Sequence, residues 1–176
     1  MTTLSEREGP MIPSIAALVM LSTPASAGVE AGMFGGYANT GYFGGNVPRM
    51  HGMSVSVRAG WALNDDFVPE LVVAHNRGST KGLDVTSTPV MAGARFRVLD
   101  GDARPFLATH VGAGNEWFDP GGISFGTFGL FWDMLVGVEM SSSSGVYIDI
   151  YAGHTMAAVE LTGSIFQAGL GAGYRF

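Results

Sequence analysis

Two pairs of residues in this sequence have side chains suited to acid–base or metal chemistry, but the members of each pair are too far apart on one extended strand to share a site. His110 and Glu116 come nearest to a usable pair, because an imidazole and a carboxylate can exchange a proton or bind one metal ion. They are six positions apart, which corresponds to about 20 Å along an extended strand. Asp133 and Glu139 are equally far apart. We therefore predict no catalytic residue and no metal site among these four residues.

Motifs for cofactors and for thiol chemistry are also missing from the sequence. The chain has no cysteine, which excludes disulfides, thiolate metal sites and a cysteine nucleophile. Two glycine-rich stretches, 112–114 and 169–173, superficially suggest nucleotide-binding loops. Neither leads from a strand into a helix or carries a Lys-Ser or Lys-Thr pair. We interpret them as strand glycines and predict that the protein needs no cofactor.

The composition indicates a protein whose surface does not face water everywhere. Of the 176 residues, 47% are hydrophobic and only 14% are charged, whereas soluble domains have about 25% charged residues. The length fits one domain. The net charge of -6, without a basic cluster, argues against nucleic-acid binding. A membrane is the simplest explanation for the missing charge.

The first 27 residues have features of a cleaved signal peptide. Residues 15–21 form an apolar core, and the Ala-Ser-Ala sequence at 25–27 supplies small residues for cleavage. The segment before the apolar core has one basic residue, Arg7, so translation starting at Met11 is an alternative. We predict a signal peptide over 1–27 and a mature, exported domain over 28–176.

The mature chain alternates with the period of a β-strand. In residues 53–61 the odd positions are apolar and the even positions are polar or glycine. In residues 90–98 the apolar side chains share one face, while Arg95 and Arg97 share the other. Eight segments follow such a pattern, and most reach the roughly 9 to 11 residues of a transmembrane strand. They are 28–38, 51–62, 67–77, 86–99, 104–118, 125–140, 146–155 and 165–176.

The predicted connections and aromatic residues are also typical of a membrane barrel. Short turns at 63–66, 100–102 and 141–145 alternate with longer segments at 39–50, 78–85, 119–124 and 156–164. Outer-membrane barrels have short periplasmic turns and long extracellular loops. Aromatic residues near the strand ends would form the interfacial girdles of such a barrel. They are Tyr37, Trp61, Trp117, Phe128, Tyr174 and Phe176.

Ten charged residues lie in phase with the polar side of the strands. They are Glu30, Arg58, Glu70, Arg95, Arg97, Glu116, Asp133, Glu139, Asp149 and Arg175. Each would be costly in lipid, so we predict that they form a charge network in a narrow lumen. We expect Asp133 and Glu139 to pair with Arg58, Arg95 or Arg97. A packed lumen of eight strands leaves no continuous pore. A soluble carrier with an apolar interior is the alternative with opposite polarity.

The C-terminal segment carries the most specific pattern. Every second residue is apolar up to a terminal phenylalanine, namely Phe166, Ala168, Leu170, Ala172, Tyr174 and Phe176. This ending, together with 104–114 and 169–176, resembles the family of small outer-membrane barrel domains that includes the membrane part of OmpA. The resemblance implies an all-β fold, an eight-stranded antiparallel up-and-down transmembrane β-barrel. It also implies insertion by periplasmic chaperones and the barrel-insertion machinery, with the C-terminal residues as the signal.

The resemblance implies no particular activity, and three roles are open. We predict a monomeric barrel in the bacterial outer membrane, among outer-membrane lipids and lipopolysaccharide, with a structural or surface-interaction role and no catalysis. A narrow passive channel for small solutes is one alternative. A lipid A deacylase using His154 is the other, since His154 is similar in position to the histidine of such enzymes. Those enzymes have a His-x-Ser sequence, whereas this chain has His154-Thr155-Met156 and so lacks the serine. Ser164 is the nearest other hydroxyl.

Overall fold

The computed structural model describes residues 28–42, 49–158 and 163–176, and their regular elements are strands. The predicted signal peptide at 1–27 lies outside the described residues. Among the residues described, no helix is long and apolar enough to cross a membrane.

The described residues form eight strands of 13 to 17 residues. All eight predicted strands are present, and most of them extend further toward one end of the barrel than the sequence pattern indicated. They are β1 (Gly28–Tyr42), β2 (Met50–Ala62), β3 (Phe67–Thr80), β4 (Leu83–Arg97), β5 (Ala103–Asp119), β6 (Phe125–Ser141), β7 (Val146–Ala158) and β8 (Gly163–Arg175).

The strands close into an antiparallel up-and-down barrel, so the predicted fold class is confirmed. Each strand pairs with the next, and β1 pairs with β8. At this seam Gly36 lies opposite Gly169, and a Cβ on Gly36 would come within 2.2 Å of the carbonyl oxygen of Ala168. The closure forms hydrogen bonds for backbone N–H and C=O groups that would otherwise be unpaired at an open sheet edge in hydrocarbon.

The predicted contrast between short turns and long loops is wrong for the two loops that the structure describes in full. Residues 43–48 and 159–162 of the other two predicted loops lie outside the described residues. Only Lys81 and Gly82 join β3 to β4, and residues 120–124 join β5 to β6. The three turns at the opposite end span 63–66, 98–102 and 142–145. Residues 78–80 and 83–85, taken as loop from the sequence, continue β3 and β4. The strands continue there because the hairpin contains the β-branched residues Thr80, Val85 and Thr86, which suit a pleated surface.

The polarity of the barrel is that of a membrane protein. Outward-facing apolar side chains such as Met33 and Leu170 are 63% and 60% exposed, whereas Arg95 and Glu139 inside the barrel are fully buried. The six aromatic residues predicted to form girdles are all exposed. A soluble carrier with an apolar interior would show the opposite arrangement. The apolar belt therefore fits a hydrocarbon layer around the barrel.

Aromatic side chains fill the lumen where glycines leave space, a feature that the sequence analysis missed. Phe34 is buried above Gly171, where an added Cβ would come within 2.0 Å of the phenyl ring. Phe106 lies in the same way over Gly137. Together with Tyr147 and Tyr151 these rings form the main apolar cluster inside the barrel. The glycines and rings are thus complementary halves of one packed interior.

Candidate functional site

Arg95 of β4 is the centre of the charge network in the lumen. Its guanidinium lies 2.8 Å from a carboxylate oxygen of Glu70, 2.9 Å from Glu139 and 3.1 Å from Asp149. These carboxylates come from β3, β6 and β7. The alternating pattern puts all four side chains on the inner face, and the narrow barrel brings them into contact.

Arg97 and Arg175 extend the network toward the end of the barrel where β1 begins. Arg97 contacts Glu30 at 2.7 Å and Glu139 at 2.8 Å. Arg175 of β8 contacts the same two carboxylates at 2.7 and 3.1 Å. Seven of the ten predicted lumen residues therefore meet in one cluster, and Glu139 pairs with Arg95 and Arg97 as the sequence analysis expected.

Asp133 does not pair with an arginine, and this expectation is wrong. Its carboxylate lies 2.6 Å from Nδ1 of His110, whose Nε2 lies 3.0 Å from Glu70. The reason is register: His110 and Asp133 are directly opposite each other on β5 and β6. An imidazole that contacts a carboxylate at each nitrogen donates to both when it is protonated. The sequence shows that both residues are on the inner face but not that they are neighbours.

Glu116 and Arg58 lie apart from the ion pairs. Glu116 accepts a hydrogen bond of 3.0 Å from the Tyr42 hydroxyl near the opposite end of the barrel. Among the described residues Arg58 forms no ion pair, and its guanidinium instead lies 4.0 Å from the centre of the Phe34 ring. This is a cation–π contact. A cavity of about 10 Å³ adjoins Arg58 and Asp133, which is about the space of one water molecule.

A second candidate site is a groove on the outer face, where His154 contacts Ser164. Nε2 of His154 and the Ser164 hydroxyl are hydrogen-bonded. Ser164 lies opposite Met156, and His154 lies opposite Phe166, so the two polar residues are diagonal neighbours on β7 and β8. From the sequence, Ser164 is only the nearest hydroxyl, because the register of β7 and β8 is not visible there. Thr155 points into the lumen, where it accepts a hydrogen bond from Gln167.

The rest of the groove belongs to β1 and to the residue that precedes β2. The groove has a volume of about 410 Å³ and is lined by Asn39, Gly41, Tyr42, Arg49, His154, Ser164 and Phe166. The Asn39 amide donates to the Tyr37 hydroxyl at 3.3 Å and lies 3.2 Å from Nδ1 of His51. Tyr37 and His51 are also hydrogen-bonded to each other. Polar groups thus border the groove at the level where the aromatic girdle begins.

The structure places the six residues of the predicted insertion signal on β8 or directly after it. Phe166, Leu170, Tyr174 and Phe176 are exposed on the outer face. The Phe176 amide donates a hydrogen bond of 2.9 Å to the carbonyl of Val29. The signal is therefore part of the seam that closes the barrel, and its role in insertion stays a prediction.

Within the described residues, no group of three or more His, Cys, Asp or Glu side chains is arranged to hold a metal ion. The carboxylates of the lumen are instead partnered by arginines and by His110.

Closure and polarity together define a transmembrane β-barrel with a charged, packed lumen. No protein-family model matches the sequence, and no curated protein matches it. Solved structures with a similar fold include three proteins. Neisserial surface protein A (NspA) has a TM-score of 0.73 at 14% identity, over 84% of this chain and 97% of that one. Ail, the attachment invasion locus protein of Yersinia pestis, has a TM-score of 0.57 at 18% identity, over 85% and 99%. The N-terminal β-barrel domain of Pseudomonas aeruginosa OprF has a TM-score of 0.50 at 16% identity, over 85% and 99%.

The fold is therefore that of a small bacterial outer-membrane β-barrel. At such low identities the likeness is one of fold, and these proteins' activities do not carry over to this chain.

Proposed function

We propose that this protein is a non-conducting and non-catalytic outer-membrane barrel that acts as a structural component or at its cell-surface end. The observation that carries the proposal is the lumen network around Arg95, Arg97 and Glu139. These side chains are buried and paired across the barrel axis. A permeating ion would have to separate several of these buried ion pairs, which is costly in a low-dielectric interior.

Conductance in planar bilayers tests this proposal against the alternative of a narrow channel. The purified, folded protein is expected to leave the current at the level of the empty bilayer, while a general porin added to the same bilayer conducts. Stable single-channel steps from the folded barrel that change in size with Arg97→Gln would contradict it. Folding of each sample is checked by its mobility on an SDS gel with and without boiling.

In the proposed orientation, the end of the barrel that carries the connections 81–82 and 120–124 faces the outside of the cell and could contact a partner. Ile123 is exposed there, in the connection between β5 and β6. Attachment is part of the name of the Yersinia pestis protein with this fold. A surface-interaction role of the same general kind agrees with a barrel whose lumen is closed.

A single lysine makes the orientation testable. Lys81 is the only lysine in the sequence, and it lies exposed in the connection between β3 and β4. A membrane-impermeant, amine-reactive biotin reagent is expected to label the protein on intact cells, and Lys81→Arg should abolish that labelling. The amino terminus of the mature chain would lie on the periplasmic side, out of reach of the reagent. Labelling that requires cell lysis would refute the orientation.

The contact between His154 and Ser164 favours a lipid hydrolase as a second candidate function. A serine nucleophile needs a base in hydrogen-bond contact, and here Ser164 could attack an ester carbonyl carbon while His154 Nε2 takes its proton. The leaving alkoxide would then take that proton, and water would release the acyl group. Among the described residues, however, no hydrogen bond orients Nδ1 of His154. We therefore rank this candidate below the non-catalytic role.

Release of fatty acid from outer-membrane lipids separates the two candidates. The hydrolase requires that cells producing the wild-type protein have altered lipid A acylation and that Ser164→Ala and His154→Ala each reverse it. The non-catalytic role requires identical lipid A from all three strains.

A further inference from the structure

We propose that the outer-face groove between β8 and the start of β2 binds the phosphate group of an outer-leaflet lipid, with Arg49 holding the phosphate and Phe166 packing against an acyl chain. This inference names a ligand for the outer face of the barrel. It rests on the proposed function only for the orientation of the barrel in the outer membrane.

The groove exists because the residue at its centre is a glycine. Gly41 of β1 lies opposite Ser164 of β8. On the other side, the Arg49 side chain passes close to Gly41, where an added Cβ would meet only the Arg49 Cγ, at 4.0 Å. Any larger side chain at position 41 would project into the space between Arg49 and Ser164. The bottom of the groove is therefore formed by the backbone of Gly41, with the Arg49 guanidinium on one side and the Ser164 hydroxyl on the other.

The chemistry of the lining favours an anion. Arg49 is exposed and, within the described residues, forms no ion pair or hydrogen bond. The other polar side chains of the lining are neutral donors or acceptors, namely the Asn39 amide, the His154 imidazole and the Ser164 hydroxyl, because the Tyr42 hydroxyl is already bonded to Glu116 in the lumen. The described lining contains no carboxylate, although the whole chain has a net charge of -6. A guanidinium with a hydroxyl opposite suits the tetrahedral oxygens of a phosphate.

The position of the groove selects a lipid as the source of that phosphate. Phe166 lies on the outer face two residues further along β8 from Ser164, toward the apolar belt, and is 49% exposed. Tyr37, of the aromatic girdle, lies two residues before Asn39 on β1. The groove thus runs from polar side chains at the interface to apolar side chains that face hydrocarbon. A phosphorylated lipid has the same polarity along its length, whereas free phosphate would use only the polar end.

Native mass spectrometry of the barrel in a mild detergent tests the proposal. The protein is purified from membranes and titrated with dioctanoyl phosphatidic acid, with dioctanoylglycerol as the lipid that lacks a phosphate, and with inorganic phosphate as competitor. The wild type is expected to retain one phosphatidic acid per barrel. Arg49→Gln removes a charge-assisted contact and is expected to weaken retention about tenfold. Gly41→Val places a side chain over the bottom of the groove and should weaken retention of phosphatidic acid to a similar extent. The φ angle of Gly41 is not positive, so valine can adopt it.

The matched control is Arg77→Gln, which removes an exposed arginine from β3 outside the groove. It should bind phosphatidic acid like the wild type. Equal retention by wild type and Arg49→Gln would overturn the proposal, and so would equal retention of dioctanoylglycerol. Displacement of the lipid by inorganic phosphate at equal concentration would assign the site to soluble anions and also overturn it. A barrel that is silent in bilayers but retains no lipid would refute this inference alone, leaving the proposed function intact.

Discussion

Replacing Arg95 by methionine would leave one carboxylate of the lumen without a partner. Glu70 would keep its contact with His110, and Glu139 would keep Arg97 and Arg175. Among the described residues Asp149 has Arg95 as its ion-pair partner, and its second oxygen already has no hydrogen bond. An unpaired buried charge lowers the free energy of unfolding by about 3 to 5 kcal/mol. We expect Arg95→Met to be destabilised by that amount.

A second substitution distinguishes the cost of the unpaired Asp149 carboxylate from the cost of lost packing around Arg95. In Arg95→Met/Asp149→Asn the buried charge is gone, so most of the loss should be recovered, to within about 1 to 2 kcal/mol of wild type. The coupling between the two positions should then be about 2 kcal/mol or more. Arg77→Met is the control, because its pair with Asp84 is exposed and 3.6 Å long, and such pairs contribute about 0 to 1 kcal/mol.

The assay is unfolding by denaturant of the barrel in lipid vesicles, followed by the fluorescence of its three tryptophans. The reasoning would be refuted if Arg95→Met unfolded at the same denaturant concentration as wild type. It would also be refuted if Asp149→Asn failed to restore stability in the double variant, because the cost would then lie elsewhere than in an unpaired carboxylate.

Two further predictions follow from packing and closure. Gly171→Ala would place a Cβ about 2.0 Å from the Phe34 ring and should lower the free energy of unfolding by about 1 to 3 kcal/mol. Gly35→Ala, whose Cβ would make an ordinary contact of 3.9 Å with the Ser54 carbonyl oxygen, should be neutral, and equal denaturation midpoints for the two variants would contradict this. Deletion of Phe176, which bonds to β1 and ends the predicted insertion signal, should reduce the folded fraction on an unboiled SDS gel of outer membranes, and an unchanged fraction would refute the signal.

Alternation along the chain was enough to predict the eight strands and the inward direction of the charged residues. Every residue of 53–61 keeps its predicted face, since a strand turns successive side chains to opposite sides. The ends of the strands were less predictable. Serine and threonine near 78–88 suit both a loop and an exposed hairpin, and only the pairing of β3 with β4 decides between them.

The partners of individual side chains depended on register, which the sequence does not reveal. His110 and Asp133 are 23 positions apart and become neighbours only because β5 and β6 pair in one particular alignment. The contact between His154 and Ser164 has the same origin on β7 and β8. For Phe34, the signal was present in the sequence. It shares the inner face of β1 with Glu30, and the glycines of β8 leave the space it fills.

The pairing of Glu30 with Arg175 has a consequence for how long the folded barrel persists. These residues are 145 positions apart, and they belong to the first and last strands, so their contact can form only after the barrel has closed. Contacts made that late act on the rate of unfolding far more than on the rate of folding. Arg97 holds the same Glu30 from the far side of the lumen. Separation of β1 from β8 would therefore have to break several of these charge contacts together. We expect the unfolding rate of the barrel in the membrane to depend on the contacts between these two strands.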